Sequence, residues 1–406
     1  MKPKLLVLTT TFPRWKNDSD PPFVYELSKR LTSSFEVTIH APHYSKAKVR
    51  DVMDEMQIVR FRYFFEPFEK LAGKTGIIPT IRQNKFYLLI LPFFLLAQLF
   101  SFFLLVLRLK PHVIHAHWVL PQGILATIAQ LVFKIPFMVT AHGTDIFSLQ
   151  GKLFSWLKCC VIMRATLLTA VSRALARKIQ NLCGLPLDRI HILPMGVSSK
   201  VFNPDARDPE ILQRFNGEGP FLLFVGRLSK VKGVTYLIDA MPKVLSVIPS
   251  ASLLIIGQGE LAQELDDQVK RLGLKNRIFF NGPLTNKDLP AYYATADIFI
   301  GASIHTEKEG VEGFGLTFVE AAMSGCLLIG TAVGGITDII TDNETGLMVR
   351  EKNSDELADK IIYALQNEEQ VSIIRKKGRE KCMKLFEWQM VADKYADLLL
   401  AAAQKK

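Results

Sequence analysis

Residues 221–241 read FLLFVGRLSKVKGVTYLIDAM. A run of five apolar residues ends at Gly226, a polar loop carries Arg227 and Lys232, and helical spacing sets in after Gly233. A short apolar run bounded by glycine fits a strand buried on both faces, and the helix that follows completes one strand–loop–helix unit. The same alternation extends outward in both directions. Upstream lie KLLVLTT, EVTIHA, HVIHAHW, FMVTAHG, LLTAVS and IHILPMG; downstream lie ASLLIIGQG, RIFFNG, IFIGAS and CLLIGTAVGG. Strands alternating with helices predict an α/β fold of two doubly wound parallel sheets, with chemistry beyond the carboxyl ends of the strands.

A chain of 406 residues exceeds one ordinary core, so two domains are expected. The polar and Pro-containing stretch GVSSKVFNPDARDPE, residues 196–210, marks the boundary. We place an N-terminal domain at 1–200, a second at 201–385, and a last helix at 386–406. The opening MKPKLLVLTTTF has too short an apolar core for a secretory signal and reads as the first strand. The five cysteines show neither a CxxC nor a metal spacing, and their odd number favours reduced thiols over a disulfide framework.

Charge is unevenly placed. Residues 1–200 hold 26 Lys and Arg against 11 Asp and Glu, while residues 201–406 hold 24 against 28. From Lys70 to Thr144 there are seven basic residues and no acid. Such a face attracts polyanions. Inside this tract, residues 86–107 run 22 residues without a charge, flanked by Arg82 and Lys85 before and by Arg108 and Lys110 after. The length suffices to cross a bilayer. A crossing would, however, separate strands that should share one sheet, and Pro92, Gln98 and Ser101 weaken it. The remaining readings are a helix covering the sheet, or one that also turns an apolar face to an anionic membrane surface. A charge introduced at Phe94 is expected to abolish lipid contact.

The loop FVGRLSKVKG brings two cations, Arg227 and Lys232, to the end of a strand and the start of a helix, a setting for a diphosphate. LLIIGQGELA, with Gly257 after its strand, has dinucleotide-like GxGxxA spacing. The next strand ends in Asn281 and Gly282 rather than in an acid, so a tight turn near a nucleotide base fits better. His115, His117 and His142 fall at strand ends; their spacing is not that of a zinc site, and no metal is expected. In EGVEGFGLTFVEAAMSG, residues 309–325, a helix starting near Leu316 would leave Glu312 in the preceding loop. Gly313 and Gly315 would let the amides of Phe314 to Thr317 face an anion. Glu320, one turn in, suits hydroxyl partners such as a ribose.

Taken in order, TTTFP, HVIHAHW, TAHGTD, AVSRAL, IHILPMGV, FVGRLSKVKG, GQGE, the pair Glu312 and Glu320, GGITDII and NETGLMV resemble the retaining glycosyltransferases of family 4. The resemblance implies the GT-B fold, two Rossmann-like domains facing a central cleft, with the last helix crossing back to the first domain. It implies that Arg227 and Lys232 neutralise a departing diphosphate, with Gly226 and Gly257 close to the donor. Glu320 would hold the ribose, Glu312 with the amides of Gly313, Phe314 and Gly315 the donor sugar, and Leu316 and Thr317 the helix start beneath the phosphates. His142 would sit by the sugar.

The chain departs from the family at Pro21 and Pro22, where a Gly-Gly is frequent, at Cys326 to Leu328, and at Thr337 and Asp338. The expected activity is transfer of a hexose or N-acetylhexosamine from a UDP- or GDP-sugar to a lipid-linked or glycan acceptor. It would need no cofactor, metal or nucleic acid, and would take place in the cytoplasm against the inner face of the membrane. A sugar-nucleotide epimerase or an inactive scaffold subunit of the same fold are the alternatives.

Overall fold

The computed structural model describes residues 2–15, 18, 23–72, 76–77, 80–81, 84–215, 219–307 and 310–404. Pro21, Pro22, Arg82 and Glu309, which entered the sequence reading, lie outside the described residues. The chain forms two compact units. The first comprises Met1–Val171, Leu175–Gly196 and Trp388–Lys406; the second comprises Ser172–Ala174 and Val197–Glu387.

The first unit is built on an eight-stranded sheet: β1 (Lys4–Leu8), β2 (Glu36–Pro42), β3 (Arg50–Met53), β4 (Met56–Phe61), β5 (Val113–His117), β6 (Phe137–Ala141), β7 (Leu167–Ala170) and β8 (Ile190–Ile192). Its order is β3-β4-β2-β1-β5-β6-β7-β8, and every pairing is parallel except β3 with β4. The sequence reading missed that hairpin. Its turn is made by Asp54 and Glu55, both at positive φ, with no glycine to signal it. β5 and β6 are fully buried, as the apolar runs require. The C-terminal helix Trp388–Ala403 packs on this sheet and on the first helix, Phe23–Leu31.

The second unit carries six parallel strands: β9 (Phe221–Val225), β10 (Ser252–Ile256), β11 (Ile278–Phe280), β12 (Ile298–Gly301), β13 (Leu327–Thr331) and β14 (Leu347–Val349). Their order, β11-β10-β9-β12-β13-β14, reverses direction between β9 and β12. That reversal opens a crevice at the strand ends, the general ligand site of doubly wound sheets. The helix after β9, Val234–Val247, buries Val234, Leu237, Ile238, Met241 and Val244, the three- and four-residue steps of one apolar face.

The long helix extends over Phe86–Leu109 and ends at Lys110 in the left-handed conformation. Only Ile90, Phe94, Gln98, Phe102 and Val106 are buried, one residue per turn. This stripe packs on the sheet: the Phe94 ring meets Phe61 and Tyr63 at centroid distances of 5.2 and 5.0 Å. Phe94 is therefore a core residue, and the expectation that it faces lipid is corrected. The other faces of the helix are open, with Leu89 and Phe100 each 69% exposed.

The cysteine reading is corrected too. Cys159 and Cys183 form a disulfide with their Cα atoms 5.3 Å apart. One sits in the helix Lys152–Arg164 and the other ends the helix Arg173–Cys183; a separation of 24 residues gave the sequence no cue to the pairing.

Candidate active site

At the crevice of the second unit, the loop after β9 brings Lys232 to the loop after β12. The Lys232 ammonium forms an ion pair with the Glu312 carboxylate, and both side chains keep some solvent exposure, 20% and 14%. The sequence reading set Lys232 on a diphosphate and Glu312 on the donor sugar; the structure joins them. Arg227 is exposed on the same loop. Gly226 follows β9, and its amide donates to Ile256 O at 3.0 Å. Gly257, at φ +146°, lies directly against Gly226, and a Cβ there would overlap the Gly226 carbonyl oxygen. Close approach of two backbones accounts for the glycine at 257.

The helix Leu316–Met323 begins where the sequence placed it, after Gly315 at φ +99°. The amides at its start, including Leu316 and Thr317, are those that a helix leaves without intrahelical partners. Their partial positive charge makes the site attractive to anions. Phe314 turns its buried ring onto Phe386, 5.2 Å between centroids.

The loop of Glu312 to Phe314 is backed by Gly334 and Gly335, which the sequence reading quoted only as part of a motif. The Gly335 amide donates to Glu312 O at 3.0 Å, and a Cβ on Gly335 would sit 2.6 Å from Gly313 O. Gly335 therefore sets the position of Gly313 and its neighbours.

Glu320 accepts a hydrogen bond from the Tyr293 hydroxyl at 2.8 Å. Burial pushes its carboxyl up to about 7, against the opposing pull of that bond. Sequence reasoning missed Tyr293. Its role depends on helix Leu289–Thr295 packing beside Leu316–Met323, which no local spacing encodes.

His142 belongs to the first unit. It follows β6, and its Nε2 lies 3.1 Å from His117 Nδ1. The rings of Phe23 and Trp118 flank it at 5.1 and 5.0 Å. Burial lowers the pKa of His142 to about 3, with His115 adding a like-charge contribution, and pushes His117 well below its ordinary value. The imidazoles are thus neutral at physiological pH. His115 is a core residue: its Nε2 pairs with Thr140 Oγ1 at 2.8 Å, and Tyr395 of the last helix stacks on its ring.

Asp145 is buried and accepts from the amides of Val119, His142 and Gly143 at 2.8, 3.1 and 2.9 Å. Burial still raises its pKa despite these three donors. The carboxylate ties the end of β6 to the end of β5 and so fixes the His142 backbone. Among the described residues, no three His, Cys, Asp or Glu side chains converge as metal ligands do.

Two family models match the chain: Glycosyltransferase Family 4 over residues 22–200 and Glycosyl transferases group 1 over residues 210–381. The chain belongs to this family of glycosyltransferases, and its fold is GT-B. It is 31% identical over 218 residues to a GDP-mannose-dependent alpha-(1-6)-phosphatidylinositol monomannoside mannosyltransferase of Mycobacterium tuberculosis. That match spans 53% of this chain and 56% of the mannosyltransferase, little more than half of each.

Among solved structures it resembles a sucrose-phosphate synthase from Thermosynechococcus elongatus, with 20% identity, a TM-score of 0.82 and complete coverage of both chains. It also resembles Anabaena HepE crystallised with UDP. There the identity is 18% and the TM-score 0.76, over 98% of this chain and 100% of that one.

Proposed function

We propose that the protein is a retaining glycosyltransferase that moves a hexose or N-acetylhexosamine from a GDP- or UDP-sugar to a lipid-linked or glycan acceptor at a membrane surface. The observation that carries the transfer reading is the Lys232–Glu312 pair at the crevice between β9 and β12, beside the start of helix Leu316–Met323. A donor diphosphate entering there meets an ammonium and free amides, the groups that stabilise charge on a leaving group. Arg227, on the same loop, adds a second cation within the reach of a long side chain.

Glu312 holds Lys232 in place and offers its second oxygen to a sugar hydroxyl. Glu320 keeps one oxygen on Tyr293 and has the other for a ribose hydroxyl. With cations and amides neutralising the diphosphate, the reaction needs no divalent metal. The similar mannosyltransferase uses GDP-mannose by its name, and HepE was crystallised with UDP, which supports a nucleotide-sugar donor of either base.

The membrane setting is supported by the open faces of helix Phe86–Leu109. Leu89, Leu96, Phe100, Leu104 and Leu107 are each more than half exposed, and Phe64 and Phe68 extend the surface by packing on Phe93 and Phe86. Monomeric soluble proteins rarely leave so large an apolar patch in water. Basic residues at both ends of the helix complement anionic headgroups.

Two experiments test the reading. In a thermal-shift panel of GDP- and UDP-sugars, at least one donor should stabilise the protein, and Lys232→Ala should remove the shift; a panel without any shift overturns the donor site. In flotation with anionic vesicles, the double variant Leu96→Glu/Phe100→Glu should remain in the aqueous fraction while the parent floats. A parent that does not float overturns the membrane setting alone.

A further inference from the structure

We infer that His117 is a positioning residue that holds His142 as its Nδ1–H tautomer, so that the imidazole presents a hydrogen-bond donor to a hydroxyl or ring oxygen of the sugar substrate. The sugar-facing half of this inference rests on the transfer reading above; the tautomer half rests on geometry alone.

His117 Nδ1 and His142 Nε2 lie 3.1 Å apart, so one of the two nitrogens carries the proton between them. The remaining nitrogen of His117 decides which. His117 Nε2 is buried and finds no hydrogen-bond partner among the described residues. The ring as a whole is 0% exposed and packs 4.1 Å from the His115 ring. A proton on that nitrogen would be an orphaned buried N–H, a rarity in folded proteins, whereas a bare ring nitrogen leaves no donor unmet.

The proton of His117 therefore sits on Nδ1 and is donated to His142 Nε2. A neutral His142 then carries its own proton on Nδ1. Of the three strand-end histidines, His142 alone keeps partial solvent exposure. Trp118 and Phe23 flank its ring and limit its rotation, and Asp145 fixes its backbone. A neutral donor held in this way recognises an oxygen without adding charge. That separates it from the cations that serve the diphosphate.

The test is selective 15N-histidine NMR of the full chain, with His142→Asn assigning the signal. The parent should show His142 protonated at Nδ1, with Nε2 as the acceptor. His117→Asn, whose amide nitrogen occupies the Nδ1 position, should keep that tautomer; His117→Phe fills the volume without a donor and should release it. Transfer turnover should fall roughly 10-fold or more in His117→Phe and largely recover in His117→Asn, as for a histidine that loses its orienting partner. An Nε2-protonated His142 in the parent, or an unchanged tautomer in His117→Phe, overturns the inference. The parent spectrum requires no turnover, and His142→Asn serves only to assign its signal, so it decides the tautomer even if every transfer assay fails. A tautomer that shifts in His117→Phe with unchanged transfer overturns the sugar-facing half.

Discussion

The strand ends of the two units are furnished in opposite ways. In the second unit, a Lys–Glu ion pair and a helix start gather partly exposed charge at the crevice between β9 and β12. In the first, the ends of β5 and β6 carry neutral imidazoles, aromatic rings and a buried carboxylate that accepts from three backbone amides. One sheet fold thus supports an electrostatic site and a hydrogen-bonding one. The first kind keeps an attraction between its charges in the presence of water, weaker than burial would give but not abolished. The second depends on burial, which keeps each imidazole neutral and each proton in its place.

The contrast can be broken at three points. The largest effect is expected at Lys232. Lys232→Ala should lower turnover roughly 10²-fold or more, the scale of removing one preorganised group that stabilises transition-state charge. Steady-state kinetics with the best donor of the panel checks this, and near-normal turnover would remove Lys232 from the charge-bearing side of the comparison.

The middle effect falls on the other unit. Asp145→Asn places an amide where three backbone donors converge, so at least one N–H is left without an acceptor. Thermal or urea unfolding should show a drop in stability of about 1–3 kcal/mol. A variant as stable as the parent would mean that the Asp145 network is not what holds the β5 and β6 ends together.

The smallest effect is a pH dependence at Glu320, whose titration burial has moved close to neutrality. Its pKa in the folded chain, about 7, lies above its ordinary value of 4.5. The stability it contributes is therefore fully present below pH 4.5 and is lost as pH rises through about 7. Glu320→Gln keeps an acceptor for Tyr293 and cannot ionise. It should match the parent in acid and melt roughly 2–4 °C higher at about pH 8. Parallel melting curves across that range would refute the buried-carboxyl account.

These differences also explain what the sequence disclosed. The parallel sheets were legible because strands buried on both faces leave unbroken apolar runs, from KLLVLTT to CLLIGTAVGG. β3 and β4 were not, because their turn uses Asp54 and Glu55 and β3 lies on the sheet edge with alternating exposure. At the candidate site, the start of helix Leu316–Met323 and the loop of Arg227 and Lys232 were visible as glycines and charges next to a strand or helix end. Partnerships were hidden. The pairs Lys232–Glu312, Glu320–Tyr293 and His117–His142 join residues 80, 27 and 25 positions apart, and only the tertiary fold brings them together. The disulfide escaped for the same reason. Phe94 shows the opposite error: a uniformly apolar segment has no periodic signal to mark its buried stripe, so the face toward the sheet could not be told from the face toward solvent.

The place of the last helix has a consequence for synthesis. Trp388–Ala403 belongs to the first unit, where Tyr395 covers His115 and donates to Leu193 O at 2.9 Å, and where Arg30 lies 5.2 Å from the Trp388 ring centre. All residues of the second unit precede that helix in the chain. The first unit, though it leaves the ribosome earliest, stays unfinished until the final helix arrives. A chain ending before residue 388 would leave β5 without its covering helix and the His115 ring without Tyr395. Order of synthesis and order of completion run in opposite directions in this protein.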